Sequence, residues 1–438
     1  MPPAVYRITD LLEKTVQDVP IGTNLGLFHV LFALLAGHFL NARGAVFTAL
    51  DQLGLPSPVL RRAVAALTYG SWTIEDLLLR WQQAVRAERR WVPNQYEGIR
   101  PVPADLTGFF RPQLQGCASK HYVAQAGKAL PATLIGLGGA VGHLGEGRLA
   151  LPRLMISTLS AETTDAVLET RLITAANLTL VADEALIVDA GFELADLLAG
   201  GGRFVVRLPK NFTARRNHLP AYKGHGRPPE YGEVVRPLAR TRAGKTTDAT
   251  PPQATARWKD GRYHLKAHLW SELVLRSAHP GAKTFRVVAI FDPRSKQPLL
   301  LATNLSVSAY ALWRLYQDRW PIEQLPLAAK AMLGTERAFV FGRDSRVRLP
   351  QLALLAGNVL SYVAQTSAPV ASGFWDRCAR PTCGRLRRVL HRVHFCELPV
   401  PEGQLRKKNS VTAHLPTGVK GHRRTKADAD PVGAAKAA

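Results

Sequence analysis

Apolar residues recur at three- and four-residue spacing through 25–40, 45–53, 59–67 and 74–85, which predicts a series of helices up to residue 91. Breakers separate them. In Leu55-Pro56-Ser57-Pro58, Ser57 is placed to cap the next helix with Pro58 in its first turn, and Thr73 with Asp76 reads as a capping box. After Pro93 the period shortens. Apolar runs of strand length lie at 101–106, 132–141, 148–159, 185–190 and 204–208, with helical patterns at 165–178 and 192–198 between them. Residues 213–282 are dense in Gly and Pro, and 262–270 alternate polar with apolar as a half-buried strand does. Strand-like runs resume at 285–291 and 298–305, a helix follows from about residue 309, and 349–364 is another apolar helix.

This order predicts an α/β fold with a mixed sheet. The expected divisions are an N-terminal helical domain at 1–95, a first core part at 96–212, a basic β-rich insertion at 213–283, a second core part at 284–370, and a basic C-terminal region at 371–438. Three strands, a helix, a strand, a helix and a strand also form the order of the ribonuclease-H-like fold.

Charge narrows the function. The 438 residues carry 57 Lys+Arg against 33 Asp+Glu, a formal net charge of +24, which points to a polyanionic partner. With 46% hydrophobic residues the chain has enough apolar surface for a large core, which excludes a wholly disordered protein. Four cysteines exclude a disulfide framework, and a reducing, cytoplasmic setting is expected. The most membrane-like stretch, 25–40, carries His29 and His38 and is shorter than the roughly 20 apolar residues of a spanning helix, so nucleic acid is preferred to lipid. The helix-turn-helix pattern with Arg61, Arg62, Arg80, Arg86, Arg89 and Arg90 has two readings, a DNA-groove reader or plain scaffold. Residues 403–438 hold 8 Lys/Arg against 2 Asp and few large apolar groups, the composition of a disordered basic tail.

One segment carries chemistry: Tyr316, Arg319, Glu323 and Lys330 fall within about 60° of one another on a helical wheel, an acid among phosphate-binding groups. Tyr-x2-Arg-x3-Glu-x6-Lys resembles the signature of bacterial insertion-sequence transposases of the insertion-sequence-four type, which have a DDE active site. The resemblance implies a ribonuclease-H-like catalytic core spanning about 102–330, with one Asp on the first strand, a second at the end of the fourth, and a β-rich insertion before the helix bearing the Glu. By position these are Asp105, the single acid between Glu97 and Glu146, and Asp189 in Leu186-Ile-Val-Asp189-Ala-Gly191-Phe192. Asp183 and Glu184, expected to face solvent, and Asp292 are the rival second acids.

The resemblance further implies two Mg²⁺ ions, for which Mn²⁺ can substitute. Asp105 would bridge them, with Asp189 and Glu323 each holding one. Tyr316, Arg319 and Lys330 would contact phosphate, while Arg207 and Lys210, leaving the fifth strand with Arg215 and Arg216 beyond, read equally as further backbone contacts or as structural residues. Members of the group often cut the second strand through a hairpin, which requires a base held on an aromatic face. Trp258 and Trp270 are the candidates, although Trp270 also reads as a core anchor and Trp320 as core. Pro321 and Pro326 interrupt the proposed catalytic helix. Cys378, Cys383, His391, His394 and Cys396 lack the spacing of a standard zinc finger, and Cys117 has no visible partner.

The expected function is a nucleoid-associated DNA transposase that binds double-stranded DNA at element ends and target, as a homodimer in the DNA complex and with no membrane association. The alternatives are a metal-dependent nuclease of the same fold without strand transfer, and a catalytically silent DNA-binding descendant.

Overall fold

A computed structural model describes residues 3–17, 26–111, 119–123, 126–157, 164–222, 224–242, 244–337, 340, 342, 344–371, 373–380 and 382–394. The basic tail, Cys117 and Cys396 lie outside them. The chain opens with α1 (Pro3–Val16), α2 (Leu27–Leu35), α3 (His38–Asn41), α4 (Val46–Asp51), α5 (Ser57–Tyr69) and α6 (Ile74–Ala87). The apolar run at 25–40 is thus broken at Gly37, where φ is +73°. Thr73 caps α6 as its spacing predicts, accepting from the Asp76 N–H. Ser57 does not cap: it lies one residue inside α5, and Pro56 takes the N-cap.

Then follow β1 (Trp91–Pro93), β2 (Arg100–Phe110), β3 (Lys120–Val123), β4 (Lys128–Leu144), β5 (Gly147–Ser157), α7 (Asp165–Thr179), β6 (Glu184–Val188), α8 (Leu194–Gly200) and β7 (Phe204–Arg207). The basic region contributes β8 (Ala214–Arg216), β9 (Val234–Val235), β10 (Arg240–Arg242), β11 (Lys245–Thr247), β12 (Ala254–Asp260) and β13 (Tyr263–Leu275). The chain continues through β14 (Phe285–Phe291), β15 (Leu299–Thr303), α9 (Ala309–Gln317), α10 (Trp320–Leu327), a π-helical turn (Ala328–Met332), α11 (Ser345–Thr366) and α12 (Cys383–Leu390).

The result is a mixed α/β architecture around one large sheet of order β1-β4-β2-β6-β7-β15-β14-β13-β8-β9, with β3 and β5 also on β4 and β12 on β13. The β2–β6 and β6–β7 pairs are parallel, whereas β2–β4 and β4–β5 are antiparallel. The region read as an insertion does not stand apart, because β13 pairs with β14 and extends the same sheet.

Alternation along the strands loads both faces. Leu186 and Val188 of β6 pack with Leu172 of α7 and Leu197 of α8, while Ala185 and Ile187 pack with Leu312 and Leu315 of α9. Helices α1 to α6 do not close a core of their own. They share one with β4, β5, α10, α11 and α12, so residue 95 does not divide two cores. Asn358, fully buried on α11, ties this region together by accepting from Trp81 Nε1 at 2.7 Å and donating to Ala150 O at 2.7 Å. The apolar face of α6 lies on α1 and β5. Its outer face shows Glu75, Asp76, Leu79, Gln83 and Arg86, and Arg61, Arg62, Arg89 and Arg90 are exposed nearby, an arrangement open to both the scaffold and the groove-reader readings.

Candidate active site

Strand register brings the first two acids together. The last β2–β6 pair is Pro103 with Ile187, so two residues further on each strand stand Asp105 and Asp189, on neighbouring parallel strands and on the same face. That face is the one α9 covers. The Asp105 carboxylate accepts from the Leu106 N–H at 2.8 Å, and Asp189 sits just past the end of β6, where its carboxylate accepts from the Ala190 N–H at 2.6 Å.

The third acid arrives on a broken helix. Helix α9 ends at Gln317, Asp318 is its C-cap, and α10 restarts with Arg319 at the N-cap and Pro321 in its first turn. Proline lacks an amide hydrogen and suits a first turn, which is why the chain breaks here. Tyr316 and Glu323 therefore belong to different helices, and the single-face expectation for 316–330 does not hold. Convergence is kept by the break. Arg319 Nη1 stands 2.6 Å from Glu323 Oε1, and its Nη2 is 3.5 Å from Asp189 Oδ2. The Tyr316 hydroxyl is 3.5 Å from Asp189 Oδ1, and Arg207 Nη1 is 4.0 Å from the same oxygen. Pro326 leaves another amide missing, and the helix widens into the π turn that carries Lys330. Lys330 Nζ donates to Thr107 Oγ1 at 2.7 Å, beside the rings of Phe109 and Phe110. Lys210 is exposed on the turn leaving β7.

Electrostatics reflect the crowding. Burial pushes Asp105 up to about 6, with Glu323 and Asp189 adding to the rise and Arg319 opposing it. Burial opposes the charge of Arg319, but Tyr316, Asp189, Glu323 and Asp105 outweigh it and hold the guanidinium above its ordinary value. Burial and the Asp189 charge raise Tyr316, and burial pulls Lys330 down to about 8.

A pH effect on folding follows. The folded protein holds the Asp105 proton more tightly than the unfolded chain, so this group's contribution to stability falls as pH rises from the ordinary value of 3.8 through about 6. Glu169, pushed up to about 7 by burial and by Asp165, Glu193 and Asp196, acts in the same sense. Burial lowers His29 and His38 to about 4, and these oppose the two acids over the same window, so the check is a difference: in EDTA, Asp105→Asn is expected to gain melting temperature relative to wild type as pH rises from 3.8 through about 6. A difference that stays constant across the window removes Asp105 from the account.

The rival acids are engaged elsewhere. Asp183 pairs with Arg100 at 2.7 Å. Glu184 does not face solvent as expected. It is buried at the start of β6 with Arg153 at 2.7 Å. Asp292 is held by Arg294, which also reaches Asp260.

The aromatic candidates separate in the same way. Trp270 is fully buried with its indole N–H donating to Pro251 O at 3.0 Å, so it is a core anchor with no face open for stacking. Trp258 is half-buried against Tyr310 and Trp313 of α9. Trp320, expected in the core, is 59% exposed beside Arg319.

Asp318 was not anticipated, although it lies inside the signature. It is fully buried and accepts from Asn94 Nδ2 at 2.6 Å, the Tyr96 hydroxyl at 2.9 Å and Arg148 Nη1 at 2.8 Å. These donors come from the segment after β1 and from β5, so the carboxylate fixes the α9–α10 break to the sheet.

The donor set suits a hard divalent cation, because the three acids supply only carboxylate oxygens. Among the described residues no three His, Cys, Asp or Glu side chains are gathered as the ligands of one ion. Arg319 lies between Asp189 and Glu323 as the neutralising charge. Asp105, Asp189 and Glu323 are the residues that would hold such a cation, which would supply positive charge to a phosphate oxygen. Of the zinc-type residues, Cys383 lies against Ser361 and His391 contacts Asn41 and Ala36 O. No helix among the described residues is long and apolar enough to cross a membrane. Comparison with models of known protein families and with curated proteins found no match to this chain.

Proposed function

We propose that this chain is a DNA transposase with a ribonuclease-H-like core. The observation that carries the reading is the convergence of Asp105, Asp189 and Glu323, with Tyr316, Arg319 and Lys330 around them, on one face of a sheet. The antiparallel strands β2, β4 and β5, then α7, the parallel strand β6, α8 and the parallel strand β7 support the fold assignment, with the short β3 added on β4. The +24 net charge supports a DNA partner.

Asp105, Asp189 and Glu323 would hold two Mg²⁺ ions. These, when bound, supply activation of the attacking oxygen and stabilisation of the leaving one. Arg319 is placed to turn its guanidinium from the acids to a phosphate, a bidentate exchange in which one anion replaces another. Tyr316 can donate its hydroxyl to the same group, and Lys330 supplies a point charge that persists below about pH 8. Trp320 offers the open aromatic face that a displaced base would need.

Water attack at the element end breaks a phosphodiester and leaves a 3′-hydroxyl. That hydroxyl then attacks a target phosphodiester, exchanging one such bond for another. No covalent enzyme intermediate enters. Holding two ends calls for a homodimer in the DNA complex, and such an enzyme works at the nucleoid.

The test is joining of pre-cleaved 3′-hydroxyl ends, taken from the inverted repeats flanking the coding region, to a supercoiled plasmid in Mg²⁺. Joined products are expected. Cleavage without joining would indicate a nuclease, and DNA binding without either in Mg²⁺ or Mn²⁺ would indicate a silent descendant.

A further inference from the structure

A basic cleft lies away from the acids, between α3 and α12. Its volume is about 250 Å³, and Gly37, Asn41, Arg387, Arg388, His391 and Arg392 face it. None of its described lining residues is acidic. Gly37 makes the cleft possible twice over. Its φ of +73° is costly for a side chain, and a Cβ there would come within 2.6 Å of Arg387 Cδ. Arg387 runs through that gap to donate from Nη1 to Met332 O at 2.9 Å. Among the described residues it has no carboxylate partner, so its half-buried charge is answered by a carbonyl alone. His391 is fixed between Ala36 O at 3.1 Å and Asn41 Nδ2 at 3.2 Å. Behind it the His38 ring lies tilted with its centroid 4.6 Å away, and neither of its ring nitrogens is partnered among the described residues. A positive cleft with no acid among its described lining residues and with an under-compensated arginine is stabilised by an anion.

Two features favour a polymer over a small ion. Arg388, in the last turn of α12, and Arg392, just past its C-cap His391, are exposed and continue the positive line beyond the cleft mouth. The carbonyl that Arg387 grips belongs to the π turn carrying Lys330, two residues earlier. We infer that this cleft is a second DNA-backbone seat, taking phosphodiesters outside the cleaved bond and tied through Arg387 to the catalytic turn. The inference rests on the proposed function only in taking DNA as the polyanion.

The test measures binding of the full chain to a labelled random-sequence duplex in EDTA between 50 and 200 mM salt. The slope of log affinity against log salt is expected to shrink by about 1 per arginine removed, so by about 2 in R388Q/R392Q, and to be kept in R388K/R392K. Should the double variant fail to fold, R392Q alone is expected to lose about 1. An unchanged slope in the glutamine variants overturns the inference and leaves the transposase reading standing. A slope lost equally in R388K/R392K shows a packing effect and also overturns it. So does inorganic phosphate that raises the melting temperature of wild type but not of R388Q/R392Q while the DNA slope stays unchanged, since the cleft is then a small-anion pocket. A wild-type protein that binds no duplex refutes the transposase reading, and this inference with it.

Discussion

Asp105→Asn, Asp189→Asn and Glu323→Gln are each expected to lower Mg²⁺-dependent cleavage at element ends by about 10³-fold or more, the scale of removing one electrostatic stabiliser from a phosphoryl-transfer site. The substitutions keep size and shape, so the loss is one of charge. The triple variant should be little worse than any single one, because groups that act as a unit are strongly non-additive. Stability should move the other way for Asp105. Its charge is buried beside two further carboxylates, and the amide removes that cost, so the melting temperature in EDTA at neutral pH should rise. Glu323→Gln removes one counter-charge from the largely buried Arg319, which keeps Asp189 and Asp105, so the melting temperature should fall rather than rise. Mg²⁺ should raise the melting temperature of wild type and lose that effect in the variants, since a ligand stabilises only a state that binds it. DNA affinity in EDTA should hold or improve, because a negative charge facing phosphate has gone. Any of the three that retains cleavage within about tenfold of wild type does not belong to the catalytic set.

Much of the scaffold follows from local pattern. The apolar run at 285–291 is β14, with the same ends, and the helical run at 165–178 is α7 with one more residue. Burial on both faces leaves long uninterrupted apolar strings that are read without knowledge of neighbours. The site itself is less legible, because register and exposure are set by contacts distant in sequence. Asp105 and Asp189 become neighbours through the parallel pairing of β2 with β6, which neither segment encodes alone. Wheel geometry over 316–330 assumes an unbroken helix. Pro321 was the warning, and the restart at Arg319 places the same side chains together by another route. Glu184 looked like a surface charge because its partner Arg153 lies on β5, and Trp320 looked like core because an exposed tryptophan has no local signature. The basic region read as an insertion has the composition of a loop-rich excursion, yet the long β13 keeps it in the main sheet.

Asp318→Ala is expected to cost about 3 kcal/mol of folding stability, the scale of removing one member of a buried, hydrogen-bonded charge network. The carboxylate is fully buried and answers Asn94, Tyr96 and Arg148, so its removal strands donors that only water can then satisfy. Arg148 is about one-third exposed and can rehydrate, which keeps the loss from being larger. Asp318→Asn should cost nearly as much, because the amide presents donors to a site built from donors. The effect on function should exceed what stability explains. Asp318 caps α9 immediately before Arg319 and pins the break from which Glu323 is presented. Loss of such a support typically costs 10- to 100-fold in activity, roughly as for the groups that orient metal ligands. Assayed well below its melting temperature, the variant should show a lower cleavage rate with DNA affinity close to wild type, since the helix break rather than the basic surface has loosened. A double-mutant cycle with Asn94→Ala should give a coupling of about 1–3 kcal/mol, because the two side chains share one hydrogen bond in a closed network. If Asp318→Ala instead cleaves at the wild-type rate while folded, the break at 318–320 is held by Pro321 and backbone packing alone, and Asp318 serves only stability.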